Sequence, residues 1–468
     1  MSTNNHFLNL FFNPQSIAIV GASRMPNARN YTLVSNLVKQ KFQGKVYPVN
    51  PNATEIMGLK AYPDLKSIEG DLDLAVLSVP AGKTLDIVKD CVAKKVKGVT
   101  IIAGGFSETG VQGKGVQEEI SRLLREARIR TIGPNALGPI NTRNNFIISW
   151  ARVDKLPQGG LSFIFQSGLY EPRLNWLLSG MHLNLNKLID LGNKMDINEV
   201  DALEYLGQDP ETKIIAIHFE SVAGDAKRFL RLLKETTKKK PVIVLKSGRT
   251  VAGAKAASSH TGAIIKSSDT IFDTALKQAG VIRVLGLDEF FDFAKAFEYL
   301  PRLTSDRIAV ASRSGGEGVI ATDFCELSGL RLAEFSSETR DKIRSIFPPW
   351  EIPFNPLDTG VCGQFNEGVD VDSVYLNTLA GDPNVDCVAM PLDSRLAPAD
   401  MSQSRFLTTA IEFIQRGKPM AIWSTDPVSS HEDIEEFESN RVPVYLSAER
   451  AIRSLGALYR YHKLAEQK

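Results

Sequence analysis

The chain has 468 residues, 43% hydrophobic and 23% charged, which is the composition of ordinary globular domains and excludes a disordered or fibrous protein. Its formal net charge of +1 argues against a large electrostatic footprint for nucleic acid, and no stretch reaches the ~18 consecutive apolar residues of a membrane span. Cys91, Cys325, Cys362 and Cys387 are far apart and form no CxxC or CxxH, so neither a disulfide framework nor a metal cluster of cysteines is expected.

At this length about three domains are expected. The opening "MSTNNHFLNLFF" lacks a basic region ahead of a long apolar core, so no secretory leader is read there and a cytoplasmic location is expected. Short apolar runs then alternate with amphipathic stretches: "SIAIVGAS", "KVYPVN", "LDLAVLSVP", "GVTIIAGG", "RTIGPN". Near-continuous β-branched runs between helical patterns predict buried parallel strands of an α/β sheet. This first domain is placed at 1–150. "RVDKLPQGG" (Arg152–Gly160) reads as a linker, a second domain follows over 151–302 from "LSFIFQSG", and a third occupies 303–468 from "TSDRIAVASRSGG".

The second and third domains echo each other. "LSFIFQSG" pairs with "IAVASRSGG", "DPETKIIAIHFES" with "DPNVDCVAMPLDS", and "KKPVIVLKSG" with "GKPMAIWSTD". The Ser314-to-Asp393 interval is roughly 26 residues longer than the Ser167-to-Glu220 interval, and it holds the Pro-rich "FPPWEIPFNPLD". Three pairs in one order predict a duplicated flavodoxin-like fold.

In the first domain, "SIAIVGASRMPNARN" reads as strand, tight turn and helix, a setting in which backbone N–H groups meet phosphate. A dinucleotide is disfavoured. The GxGxxG fingerprint fails after Gly21, and Asn50 stands where a ribose-binding carboxylate belongs. Another adenine nucleotide fits better, with a purely structural glycine turn as the bland alternative.

In the second domain His260 lies in "AASSHTGAII", among residues too small to pack an imidazole firmly. The segment alone reads either as a small-residue loop with an incidental histidine, or as a side chain that must be reached or must travel. His431, in "SSHED", is followed by acidic residues and reads as a surface helix start; His218 reads as a packed strand residue.

Taken in order, "GASR", "KVYPVNP", "LSVPA", "GPNALG", "QSG", "DPETK", "KSGRT" and "SSHTGA" resemble the nucleoside-diphosphate-forming acyl-CoA synthetases. The resemblance is to the α subunits of ADP-forming acetyl-CoA synthetases, relatives of succinyl-CoA synthetase, and it covers nearly the whole chain. It implies a Rossmann-like coenzyme A-binding domain followed by two flavodoxin-like ligase domains. By this likeness Gly21, Ala22, Ser23 and Arg24 take the nucleotide part of coenzyme A, with Lys45, Asn50 and Pro51 nearby. Val79 and Pro80 border the adenine or pantetheine, and Ala103, Gly104, Gly105 and Phe106 line the path toward Asn135.

The resemblance further implies that His260 becomes phosphorylated and that Glu220 orients its ring, as a carboxylate orients the histidine of a catalytic triad. Gln166, Ser167 and Gly168 would hold phosphate at a helix N-terminus, opposed by Ser314, Gly315 and Gly316; Glu317 would repel phosphate if it pointed inward. The expected reaction is acyl-CoA + ADP + phosphate ⇌ carboxylic acid + ATP + CoA. No ATP-grasp module is read in the chain, so ATP or ADP and Mg²⁺ are assigned to a separate β subunit in an α2β2 assembly, with Gly253 and Gly262 giving the His260 segment freedom to move.

Two places depart from the family pattern. "FQSGLYEPRLNW" enlarges a helix start that is normally built of small residues, and Ala136 stands where cysteine is frequent. Altered acid specificity is the mild consequence, with an aryl, branched or second-anion-bearing acid suggested by Tyr170 and Arg173. Loss of activity, leaving a non-catalytic CoA-binding regulatory subunit, is the severe one.

Overall fold

The structure, a computed structural model, describes residues 3–261, 269–392 and 402–466. Two compact units divide the chain, residues 1–285 and 286–468.

The first unit contains two large sheets and a small antiparallel pair, Glu55–Ile56 with Leu59–Lys60. In the first sheet, strands β1 (Ser16–Val20), β2 (Lys45–Val49), β3 (Leu74–Leu77), β4 (Gly98–Ile101) and β5 (Arg130–Ile132) run parallel in the order β2-β1-β3-β4-β5. "SIAIV", "LAVL" and "GVTI" are buried along their whole length, as expected of strands covered by helices on both faces. The order reverses between β1 and β3, so the crevice at their carboxyl ends is the switch point where such sheets bind ligands.

The second sheet adds the antiparallel pair β6 (Ile140–Asn141) and β7 (Phe146–Ile147) to five parallel strands: β8 (Gln158–Phe165), β9 (Leu185–Asp190), β10 (Ile214–Phe219), β11 (Val242–Lys246) and β12 (Ile282–Val284). The order is β12-β11-β10-β8-β9-β6-β7. Residues of both sheets share one apolar core that includes Phe11, Phe12, Ile17, Ile164, Tyr205 and Phe219.

The second unit has its own sheet, with β13 (Arg307–Ser312), β14 (Arg331–Leu332), β15 (Leu357–Asp358), β16 (Cys387–Leu392), β17 (Met420–Ser424) and β18 (Val444–Tyr445). Its path β14-β13-β16-β17-β18 repeats the order β9-β8-β10-β11-β12 strand for strand. The three echoed sequence pairs fall on β8/β13, β10/β16 and β11/β17. The Pro-rich insertion supplies β15, which pairs with the end of β13. The helix Leu287–Tyr299 buries Ala296 and Tyr299 in the core of this second unit, against Val310, Trp423 and Leu455, rather than with the sheet that precedes it.

All four cysteines are free and buried, and no helix among the described residues is long and apolar enough to cross a membrane.

Candidate active site

At the switch point of the first sheet, Gly21 has φ +87°, and a Cβ there would lie 2.5 Å from the Ser78 carbonyl oxygen. Only glycine lets the β1 turn pass this close to the β3 turn. Asn30 staples the two turns: its amide nitrogen donates to the carbonyls of Gly21 (2.9 Å) and Ser78 (2.8 Å), and the Ser78 hydroxyl donates back (2.8 Å). Asn50 donates to the Ala22 carbonyl at 2.7 Å. The expected helix does not open at the turn; it begins eight residues later, at Arg29 (α1, Arg29–Lys39), and leaves Ser23 and Arg24 on an open loop.

Gly21–Arg24, Asn50, Pro51, Val79, Pro80, Ala103–Gly105 and Asn135 therefore gather at the carboxyl edge of the sheet. Lys45 does not. It starts β2 and pairs with Ser16 at the opposite edge, about 13 Å along the strand from Val49. Phe106 is fully buried and lines no path. Beside it, Glu108 accepts the Gly105 N–H at 2.6 Å and the Asn193 amide at 2.6 Å. Burial opposes ionisation of Glu108, but backbone N–H groups and the Asn193 amide together hold its carboxyl below the usual range.

The second sheet presents Gln166, Ser167 and Gly168 after β8 and Glu220 after β10. Glu220 is buried, not the solvent-facing strand end its position allows. One oxygen gathers this edge together. Gln166 Oε1 accepts from the Glu220 N–H (2.9 Å) and from Lys194 Nζ (2.8 Å). Lys194, reached by no family motif, also donates to the Ser221 carbonyl at 2.5 Å and pairs with the fully buried Glu199 at 3.1 Å. Glu199 Oε1 in turn accepts the N–H groups of Ala223 (2.6 Å) and Gly224 (3.1 Å). The loop that carries Glu220 is thus held from both sides by one buried ion pair. Burial pulls the Lys194 amine below its ordinary value, against the opposing pull of Glu199 and Glu220.

The helix expected at "QSG" takes a different form. Gly168–Arg173 is a 3₁₀ segment containing Pro172, and a five-residue π segment, Trp176–Gly180, follows. Tyr170 turns inward to stack on Phe165 (ring centroids 3.5 Å apart, planes 6°) and meets the His218 ring edge-on. His218 is buried, shares a 2.6 Å hydrogen bond with Ser247, and is pushed down to about 4 by burial.

"VAGAKAASSHT" is also not a loop: Val251–Thr261 is an α-helix (α2), started by the Thr250 hydroxyl accepting the Gly253 N–H at 3.0 Å. Its alanines explain why helix wins over the loop expected there. Gly262 and the rest of the "SSHTGA" motif beyond Thr261 lie outside the described residues. Helix α2 packs against the turn Ser107–Thr109 of the first sheet, beside the edge where Gly104 and Gly105 sit.

Ser314, Gly315 and Gly316 belong to the second unit, where they open a 13-residue α-helix (α3, Gly315–Leu327) capped by the Ser314 hydroxyl. Glu317 folds back into this turn, accepting from the Arg313 N–H (2.8 Å) and the Trp423 indole N–H (2.8 Å).

These features converge with three comparisons. Residues 15–142 match the CoA binding domain family, and residues 158–297 match the succinyl-CoA ligase like flavodoxin domain family. The chain is 35% identical over 462 residues to an acetate–CoA ligase [ADP-forming] II subunit alpha of Pyrococcus furiosus, covering 97% of this chain and 98% of that one. The chain belongs to the ADP-forming acyl-CoA ligase family. An acetate–CoA ligase [ADP-forming] II of Archaeoglobus fulgidus is 34% identical; it aligns with 97% of this chain, which spans 66% of that longer ligase. Among solved structures, the dinucleotide-forming acetyl-coenzyme A synthetase 1 of Candidatus Korarchaeum cryptofilum, in complex with phosphate and ADP, superposes with TM-score 0.87 at 30% identity, covering 98% of this chain and 97% of that one. Within the ligase chain, the first sheet is thus the CoA-binding domain and the second the ligase-type flavodoxin domain. Lys194, Glu199 and Asn30 escaped sequence reading because their roles depend on partners in other segments; "LGNKMDINEV" gives no periodic or motif signal.

Proposed function

We propose that this chain is the coenzyme A- and phosphohistidine-bearing subunit of an ADP-forming acid–CoA ligase working in the cytoplasm. The supporting observation is that the loops at the carboxyl edges of the two sheets interlock, Glu108 to Asn193, and that the helix carrying His260 packs on Ser107–Thr109 beside the candidate coenzyme A edge. In this reading the domains are 1–150, 151–302 and 303–468. Coenzyme A lies at Gly21–Arg24, Asn50, Pro51, Val79, Pro80, Ala103–Gly105 and Asn135.

Phosphate bound at Gln166–Gly168 attacks the acyl-CoA carbonyl; the C–S bond breaks, coenzyme A leaves as the thiol, and acyl phosphate forms. An unprotonated imidazole nitrogen of His260 then attacks phosphorus, releasing the carboxylate. Glu220 orients the ring and stabilises its cationic form. Phosphohistidine passes its phosphoryl group to ADP on an ATP-grasp partner subunit in an α2β2 assembly. Mg²⁺ belongs to that nucleotide, and no group of three or more His, Cys, Asp or Glu among the described residues is placed to hold a metal.

The test is labelling with radioactive phosphate. The chain, mixed with acetyl-CoA or other acyl-CoAs and labelled phosphate, should acquire a base-stable, acid-labile label that His260→Ala lacks. Retained coenzyme A binding with no label from any acyl donor would leave a CoA-binding regulatory subunit instead.

A further inference from the structure

A small cavity, open to solvent on one side, lies beside Ser167. Leu137, Ile140, Phe165, Leu174 and Leu188 give it apolar walls, and Asp190, at the end of β9, contributes a carboxyl. Asp190 is almost fully buried and stands next to Phe165 across the β8/β9 ladder. Its oxygens accept one backbone N–H each, from Leu137 (3.0 Å) and Gly192 (3.1 Å). Two bonds do not exhaust a carboxyl group. No ion pair to it is found among the described residues, and burial pushes it up to about 7 against the pull of those two amides. Arg173, the cation that suggested a second anion on the substrate, points elsewhere: its guanidinium donates to the Leu169 carbonyl at 2.8 Å in an exposed position.

We propose that this cavity receives the body of the acyl group and that Asp190 selects a compact, uncharged monocarboxylic acid bearing a hydroxyl group, at the expense of dicarboxylic acids. The inference rests on the acid–CoA ligase reading and names its substrate class. A hydroxyl suits a carboxyl in either protonation state, because it donates to the carboxylate and accepts from the acid. A second carboxylate on the substrate would meet a like charge where little water screens it. A wholly apolar acid fills the walls but leaves the carboxyl without the bond that offsets its burial.

The test compares acyl-CoAs matched in size on the full chain, trapping acyl phosphate with hydroxylamine: butyryl- against 3-hydroxybutyryl-CoA, phenylacetyl- against 4-hydroxyphenylacetyl-CoA, and succinyl-CoA. At least one hydroxylated member should exceed its plain partner in kcat/KM by ~10-fold or more, since a hydrogen bond to an ionisable group is at stake, and succinyl-CoA should be the poorest. In Asp190→Ala that preference should collapse. Equal rates within both pairs, preference for succinyl-CoA, or a preference that survives Asp190→Ala would each overturn the proposal and leave the ligase reading standing. Acyl phosphate from none of the donors, with coenzyme A still bound, would remove the ligase reading and this inference together. If Asp190→Ala does not fold, the paired comparison in the unmodified chain decides alone.

Discussion

The second and third sheets share one strand order, yet the turns after their first strands have diverged. After β8, "FQSGLYEP" gives a 3₁₀ segment, an inward Tyr170, and a Gln166 side chain that serves as the hub of neighbouring loops. After β13, "SRSGGEG" gives a capped 13-residue α-helix whose N-terminal charge is met by its own Glu317. Helix N-termini attract anions. In the third sheet the chain supplies the anion itself, whereas in the second Glu199 is committed to Lys194 and to the loop that follows Glu220. The duplication therefore repeated a scaffold and not a site.

Breaking the Lys194 clamp should have the largest effect on this contrast, because the ion pair at the third-sheet edge, Arg313 with Asp372 at 2.7 Å, is only partly buried, whereas Lys194 and Glu199 are both buried. Lys194→Met leaves Glu199 buried without its cation, which should cost ~3–5 kcal/mol of stability in urea unfolding. The more telling readout separates two half-reactions. If the proposed mechanism holds, acyl phosphate formation from acyl-CoA and phosphate does not involve Glu220 and should fall modestly, while labelling of His260 should fall ~100-fold, the scale lost when a positioned catalytic group is displaced. Equal loss in both steps would mean that the clamp serves only the fold.

What could be read before folding, and what could not, follows the same division. Buried strand runs and the ordered pairs "LSFIFQSG"/"IAVASRSGG" revealed three α/β sheets and their internal echo, because strand burial leaves a local pattern. Gly21 and Asn50 were legible for a similar reason: a switch-point turn demands particular residues at fixed offsets. Lys45 was misplaced because its motif is contiguous in sequence, while a parallel strand carries its two ends to opposite edges of the sheet. "AASSHTGAII" read as a loop because its serines and glycine outweighed the alanines that make Val251–Thr261 helical. Lys194 and Asp190 became visible only once β9 lay beside β8.

Asp190 also sharpens the comparison through pH. Its carboxyl rises from the ordinary 3.8 to about 7 on folding, so the folded state binds its proton more tightly. Its contribution to stability is full below about pH 4 and is lost as pH rises toward 7. His218 has the opposite sign. Lowered from 6.5 to about 4, it contributes fully above pH 6.5 and loses its contribution as pH falls toward 4. The two slopes oppose each other in the unmodified chain. Asp190→Asn should remove one of them, and urea unfolding at pH 5 and pH 7 should show the variant gaining about 2 kcal/mol on the unmodified chain between those values. A difference that does not change with pH would mean that Asp190 is ionised alike in the folded and unfolded states.

The smallest expected effect lies in the third sheet. Glu317→Gln keeps the shape of the side chain but removes the resident charge, and its amide can satisfy only one of the Arg313 and Trp423 donors as an acceptor. The loss should be ~1 kcal/mol, the scale of one charge at a helix N-terminus. If Glu317 acts as a built-in anion, the second unit of the unmodified chain should be indifferent to added phosphate or sulfate, and the variant should become measurably more heat-stable as either anion is added, because a ligand that binds only the folded state raises its stability. The same titration on a chain altered at Ser167 should remove anion protection from the first unit without touching the second. Anion protection of the second unit in the unmodified chain would show that its turn still accepts a ligand with Glu317 in place, and the two sheets would then differ in the shape of their anion turns and not in whether those turns are open.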